Sequence, residues 1–263
     1  IKEKGTSSTD PKQVLKDLPT VANVGLPKYV KFGQKYPFIL ISPQLKSSYG
    51  SWSPAFIMEV VNHVKKTLRI DDTRIYLTGL SLGGFGVWKT AGEYPSVFAA
   101  IAPICAGGNA MDKAAVIAKE NVAVWGFHGS GDHIVSHTVT TNMINAINSA
   151  PKKPNPLAKV TIFPGMGHII WDKAYLETDV LQWMLSFKKG SGAPSQSANS
   201  HPVVKAGEDK TVLLPASSVL IEAKASDEDG QISDFSWTKV SGPDATLSGT
   251  RTAHQKVEEL QEG

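Results

Sequence analysis

The chain has 263 residues, of which 41% are hydrophobic and 19% charged, with a net charge of +3. That length holds one large or two smaller domains with a real core, and so small a charge gives no basis for a nucleic-acid or anionic-membrane partner. A lone cysteine, Cys105, excludes an intrachain disulfide, and no apolar run reaches the length of a membrane-spanning helix.

Residues 1–20 are polar and broken by Pro11 and Pro19, with a short helix expected over 13–18 and another turn over 25–30. Phe38-Ile39-Leu40-Ile41-Ser42 reads as a short buried strand, ended by Pro43-Gln44 and followed by a Ser-rich loop to Trp52. Residues 54–68 form an amphipathic helix with Pro54 at its first position and Ile57, Val60, Val61, Val64 and Leu68 on one face.

The next stretch organises the rest. Residues 75–80 are a β-branched, apolar strand, and a helical pattern resumes through Val87, Trp88 and Ala91. Between them stands Gly79-x-Ser81-x-Gly83, the spacing of a nucleophile elbow. A serine hydroxyl is a weak nucleophile and must stand clear of the backbone to meet a base. A sharp strand-to-helix turn exposes it but crowds the positions two before and two after, where glycine lacks the offending Cβ. The helix beyond aims its first N–H groups at the place where negative charge develops.

Further strands are expected over 98–105, 122–127 and 159–163, and helices over 111–119, 138–149 and 174–188. Strands alternating with helices imply an α/β domain with a doubly wound, mostly parallel sheet. After Lys189 a Gly/Ser/Ala-rich stretch, 190–201, has the makeup of a linker. Residues 202–263 then read as a separate all-β module with strands over 211–214, 219–223 and 232–240.

A serine nucleophile needs a base, and the base an orienting acid. In parallel sheets such groups gather at the carboxyl ends of strands. Asp132 lies five residues past Phe127 and His168 five past Phe163, both on Gly-rich turns. They are the expected acid and base, with Asp172 the runner-up acid. His63 sits in a helix, His128 reads as a hydrogen-bonded turn residue, His133 and His137 are weak rivals, and His201 and His254 fall in the β module. Cys105 lies in an apolar run and reads as core. No zinc-type His/carboxylate spacing and no Cys-x-x-Cys occurs, so no metal is expected. Gly83-Gly84-Phe85-Gly86 lacks the lysine and hydroxyl of a phosphate loop, so no cofactor is expected either.

Residues 24–188 resemble esterases of the α/β-hydrolase superfamily, the branch of phospholipase/carboxylesterases, feruloyl and acetylxylan esterases and polyhydroxybutyrate depolymerases. The residues that carry the resemblance are Phe38-Ile39-Leu40-Ile41-Ser42-Pro43-Gln44, Gly79-Leu80-Ser81-Leu82-Gly83-Gly84, His128-Gly129-x-x-Asp132-x-x-Val135 and Gly165-x-Gly167-His168-x-x-Trp171. The resemblance implies Ser81 as nucleophile, Asp132 as acid, His168 as base, and the Leu82 N–H as half of an oxyanion hole. It also implies that Gln44, Trp52 and Trp171 flank the cleft. The substrates expected are short-chain acyl or aryl esters, free or carried on polysaccharide.

Residues 202–250 resemble a PKD-type immunoglobulin-like module through Ala206-Gly207-Glu208-Asp209-Lys210-Thr211-Val212 and Asp227-x-Asp229-Gly230-x-Ile232-x-x-Phe235-x-Trp237. Trp237 would be its core tryptophan. Asp227 and Asp229 read as a tight acidic turn rather than calcium ligands. Such modules imply a secreted or cell-surface protein.

Two other readings stay open: a peptidase using the same elbow, and a carbohydrate- or surface-binding protein on a catalytically silent scaffold. The complete Ser–Asp–His set argues against the second. A further expectation concerns the second oxyanion donor, which normally comes from the loop after the third strand of the fold. Residues 1–37 hold no suitable apolar run, since 21–26 is interrupted by Asn23 and Gly25. The resemblance therefore implies an internal piece of a longer protein, with a strand ending in His-Gly just before Ile1 and a β module that runs on past Gly263.

Overall fold

Four of the expected apolar runs become strands: β1 (Tyr76–Leu80), β2 (Ala100–Ile104), β3 (Ala123–Gly129) and β4 (Lys159–Phe163). They form one parallel sheet in the order β1-β2-β3-β4. The computed structural model describes residues 5, 10–108, 110–190, 203–213, 216–226, 232, 235–239, 242–248 and 253–260. The chain divides into two compact units, Ile1–Pro194 and Ser195–Gly263.

In the first unit, helices α1 (Pro11–Asp17), α2 (Gly25–Lys31) and α3 (Pro54–Thr67) precede the sheet. Ser53 caps α3, its hydroxyl accepting from the Phe56 N–H at 3.4 Å, and Pro54 stands where no N–H is needed. Parallel neighbours need crossovers, supplied by α4 (Leu82–Glu93), α5 (Ala114–Lys119) and α6 (Thr138–Asn148). The chain closes with α7 (Trp171–Leu176) and α8 (Val180–Leu185).

The sheet is covered on both faces, which explains its nearly continuous apolar strands. Ala100, Ala102 and Ile104 of β2 face a cluster with Leu26 and Tyr29 of α2, Tyr175 of α7 and Met184 of α8. Ile101 faces the opposite cluster, with Trp88 of α4, Ile117 of α5 and Ile144 of α6.

Two expected elements of this unit are corrected. Residues 38–42 are not a strand: Phe38 lies in a bend, and none of the five belongs to a ladder among the described residues. They line a cleft of about 1000 Å³ that β1 lines as well, and a run of strand-forming residues is a strand only when another strand accepts its backbone bonds. No strand lies between this segment and β1 among the described residues. Residues 10–31 are largely helical, and Gly5 makes an isolated parallel bridge to Lys46. The single helix expected over 174–188 is two short ones. Thr178 breaks it, its hydroxyl donating to the Ala174 carbonyl at 2.6 Å and accepting from the Val180 N–H at 3.3 Å.

The second unit is antiparallel. Its strands are β5 (Val203–Lys205), β6 (Ser218–Glu222), β7 (Lys224–Ser226), β8 (Thr246–Ser248) and β9 (His254–Glu258). β5 pairs with β7, and β9 lies between β6 and β8. The strand expected over 219–223 corresponds to β6. Those expected over 211–214 and 232–240 are not strands in their described parts. Thr211 and Leu213 are exposed, leaving that run no buried face. Phe235 and Trp237 are half-buried and alternate with exposed Ser236 and Thr238, the period of a strand without the ladder. Trp237 is thus not fully enclosed. Asp227, Asp229 and 191–202 lie outside the described residues.

Candidate active site

Ser81 sits between β1 and α4 with φ 52° and ψ −115°. A positive φ is uncommon for a residue with a side chain and stores strain. The surroundings impose it. The Ser81 N–H donates to the Ile104 carbonyl at the end of β2, 2.8 Å away, and its own carbonyl accepts the Phe85 N–H at 3.0 Å. A Cβ on Gly79 would lie 2.6 Å from the carbonyl of Gly83, so the first glycine of the elbow is sterically required. The second is not required in the same way, because a Cβ on Gly83 meets nothing within 4 Å. Leu82 opens α4, so its N–H has no acceptor within the helix.

The expected acid and base are brought together by two interlocked turns. After β3 the Ser130 N–H donates to the Phe163 carbonyl at 3.0 Å, and the Gly131 N–H donates to the Met166 carbonyl at 2.9 Å. In return the Gly165 N–H donates to the Ser130 hydroxyl at 2.7 Å. Asp132 follows on the first turn and His168 on the second.

The structure brings Ser81, His168 and Asp132 into one chain of hydrogen bonds. The Ser81 hydroxyl lies 2.9 Å from His168 Nε2, and His168 Nδ1 lies 2.6 Å from Asp132 Oδ2. With the carboxylate as acceptor, Nδ1 carries the proton and Nε2 is left to accept from the serine. The Asp132 side chain is fully buried and that of His168 is 10% exposed. Burial alone would raise the Asp132 carboxyl. Hydrogen bonds from the Val135 N–H, His168 and the Ile134 N–H outweigh it and hold the group below its ordinary value.

His128 is the residue that sequence reasoning undervalued. It lies within β3, wholly buried, with Nε2 3.1 Å from Asp132 Oδ2. The available signal was the four-residue spacing His128-x-x-x-Asp132 at the carboxyl end of a strand. His63, His133 and His254 are exposed, and Asp172, the runner-up acid, pairs with Lys28 at 3.0 Å and with the Tyr29 hydroxyl.

Among the described residues one group could collect a metal: atoms of Cys105, His128 and Asp132 lie within 4.8 Å of one another. Its donors are committed elsewhere. Asp132 accepts from both histidines and two backbone N–H groups, and burial pushes the Cys105 thiol up to about 12. A thiol held protonated is a poor ligand.

The 1000 Å³ cleft reaches Ser81 and His168. Trp171 stands edge-on to the His168 ring at 6.2 Å, and Trp52 stacks on Phe56 at 6.3 Å. Both line the cleft, as does Gln44. The Gln44 amide is turned toward the N-terminal segment, donating to the Asp17 carbonyl at 3.0 Å and the Thr20 hydroxyl at 2.7 Å. The exposed side chains of Ile134 and Ile169 give the mouth an apolar rim. No helix among the described residues is long and apolar enough to cross a membrane.

Known proteins resemble the two units separately. Residues 206–263 match the family model "K319L-like, PKD domain". A bifunctional acetylxylan esterase/xylanase of Neocallimastix patriciarum is 26% identical over 106 residues, 38% of this chain and 15% of that protein. Poly(3-hydroxyalkanoate) depolymerase C of Paucimonas lemoignei is 41% identical over 58 residues, 22% of this chain and 14% of that protein. The chain thus aligns with only about one seventh of either relative. The crystal structure of a thermostable esterase superposes with a TM-score of 0.54 at 23% identity, covering 71% of this chain and 52% of that one. The first unit has the α/β-hydrolase fold, and a PKD-type β-rich unit follows it.

Proposed function

We propose that the first unit is a serine carboxylic-ester hydrolase working through an acyl-enzyme. The observation that carries this reading is the unbroken run of hydrogen bonds from the Ser81 hydroxyl through His168 to buried Asp132. As Ser81 Oγ bonds to the ester carbonyl carbon, its proton passes to His168 Nε2. Asp132 holds the ring with Nδ1 protonated and stabilises the imidazolium. The carbonyl oxygen takes up the negative charge facing the Leu82 N–H at the start of α4. Collapse breaks the bond to the alcohol oxygen, which leaves with the proton from Nε2. Water then attacks the acyl-enzyme, giving its proton to Nε2, and the second collapse returns that proton to Ser81 as the acid departs.

Short-chain acyl or aryl esters, including esters carried on polysaccharide, are the substrates this reading favours. Trp52, Trp171 and Ile169 offer apolar surface for such a group in the cleft that Ser81 lines. The acetylxylan esterase relative supports the polysaccharide link, and the PKD match supports work outside the cell. The test is hydrolysis of acetyl, butyryl, decanoyl and feruloyl esters by the parent and by Ser81→Ala. Expected are a preference for the short or aromatic acids and a kcat lower by on the order of 10⁵–10⁶ in the variant. A preference for decanoyl esters contradicts the substrate assignment, and an unchanged rate in Ser81→Ala contradicts the mechanism.

A further inference from the structure

His128 touches no part of the cleft mouth, yet it is wholly buried against the acid of the site. Burying a second imidazole there is costly unless its polar atoms are satisfied. Its partners settle the tautomer. Nε2 faces two acceptors, Asp132 Oδ2 at 3.1 Å and the Val135 carbonyl at 3.0 Å, so it carries a proton. Nδ1 faces the buried Thr140 hydroxyl at 2.8 Å, which can donate to it. Both nitrogens are then satisfied by a neutral ring. Burial also holds His128 below the ordinary histidine range, against the opposing pull of Val135 and Asp132.

Asp132 therefore receives four nitrogen donors, and the buried Cys105 thiol hydrogen-bonds to its carboxylate as well. Oδ1 takes the Ile134 and Val135 N–H groups at 2.8 and 2.9 Å. Oδ2 takes His168 at 2.6 Å and His128 at 3.1 Å. Two imidazoles thus share a single carboxylate oxygen. Each donor to that oxygen draws on the same negative charge, so what His128 takes is lost to His168.

We propose that His128 is a positioning residue of this site: as a neutral Nε2–H donor it fixes Asp132 Oδ2, tempers that oxygen's charge and so sets the basicity of His168. The proposal rests on the reading of Ser81, His168 and Asp132 as the catalytic set. Thr140 supports it from α6, because a ring that accepts at Nδ1 donates more strongly at Nε2. The other titratable groups around the pair do not substitute for this control. Cys105, from the end of β2, stays a protonated thiol up to about pH 12. Asp172, on α7, is paired with Lys28 and Tyr29 of α2, and His133 on the Asp132 turn is exposed.

The experiment is an NMR titration of the His168 ring in the parent, His128→Leu, His128→Gln and Thr140→Val. It needs no turnover, so it answers even if the protein proves to cleave no ester; the ester assay tests that reading separately. Loss of the donor in His128→Leu removes one of the two imidazoles from Oδ2, so that oxygen better stabilises the His168 imidazolium. The His168 ring signal is expected to titrate at higher pH in His128→Leu than in the parent. His128→Gln, whose amide nitrogen can occupy the place of Nε2, is expected to restore the parent value. Thr140→Val is expected to give a smaller rise. Where ester is cleaved, the acidic limb of kcat/KM moves with the ring. An unshifted His168 in His128→Leu, or a shift as large in His128→Gln, overturns the proposal, since a merely structural role leaves the ring's titration alone. If His128→Leu does not fold, Thr140→Val decides: a rise supports the proposal and an unmoved ring overturns it.

Discussion

The Gly131 N–H donates to the Met166 carbonyl at 2.9 Å, tying the turn that carries Asp132 to the turn that carries His168. The contact depends on missing side chains. A Cβ on Gly129 would overlap the carbonyl oxygens of Met166 and Gly167, and one on Gly131 would lie 2.9 Å from the Gly165 carbonyl oxygen. The obstructing atoms are backbone and cannot swing aside. Gly129→Ala is therefore expected to push the turns apart, destabilise the fold by about 1–3 kcal/mol and lower kcat about 10²-fold through misplacement of the base. Urea unfolding and ester kinetics on the purified variant check this. Parent-like kcat would show that the two turns need not be so close.

Acid should destabilise the first unit in two stages. The His128 ring is held below its ordinary value by burial, so the unfolded chain binds the proton more readily. Its contribution is present above roughly pH 6.5 and is lost as pH falls below that. Asp132 is held below the carboxylate range by its hydrogen bonds, which outweigh burial. Its contribution is present above roughly pH 4 and is lost as pH falls through the lower folded value. Urea midpoints measured from pH 8 to pH 3 should fall in both ranges, and the first decline should shrink in His128→Gln. The same decline between pH 6.5 and 5 in parent and variant would place its source elsewhere.

The residues of the proposed site all belong to the first unit, and Lys189, near the end of that unit, is hydrogen-bonded to it three times. Its N–H donates to the Thr73 carbonyl at 2.7 Å, and its ammonium donates to the Pro95 and Glu120 carbonyls, each at 2.7 Å. A chain ending after Gly190 is expected to keep the kcat of the parent on a small soluble ester. One ending before Lys189 is expected to lose stability as well. A tenfold fall in kcat for the chain ending after Gly190 would mean that the second unit shapes the cleft.

Much of this site could be read from the chain because local rules coincide there. The elbow spacing, the strand before it and the helix after it all demand the same turn, and Ser81, Asp132 and His168 each follow an apolar run that becomes a strand. Where a residue's role depends on a distant partner, the chain is silent. Residues 38–42 have strand composition but pair with no strand among the described residues. Gln44 turns its amide to Asp17 and Thr20, and the helix over 174–188 yields to one hydroxyl at Thr178. His128 reads as a turn residue in the sequence because its partner Thr140 is brought to it only when α6 folds back over β3.

The central claim is that Ser81 is an activated nucleophile served by His168. A fluorophosphonate probe followed by intact-mass and peptide analysis tests it most directly, because phosphonylation needs the activated hydroxyl but no particular substrate. Expected are a single adduct on Ser81 in the parent, none in Ser81→Ala, and labelling slowed by several orders of magnitude in His168→Ala. A well-folded parent that takes no label, or a Ser81→Ala protein labelled as fast as the parent, would contradict it.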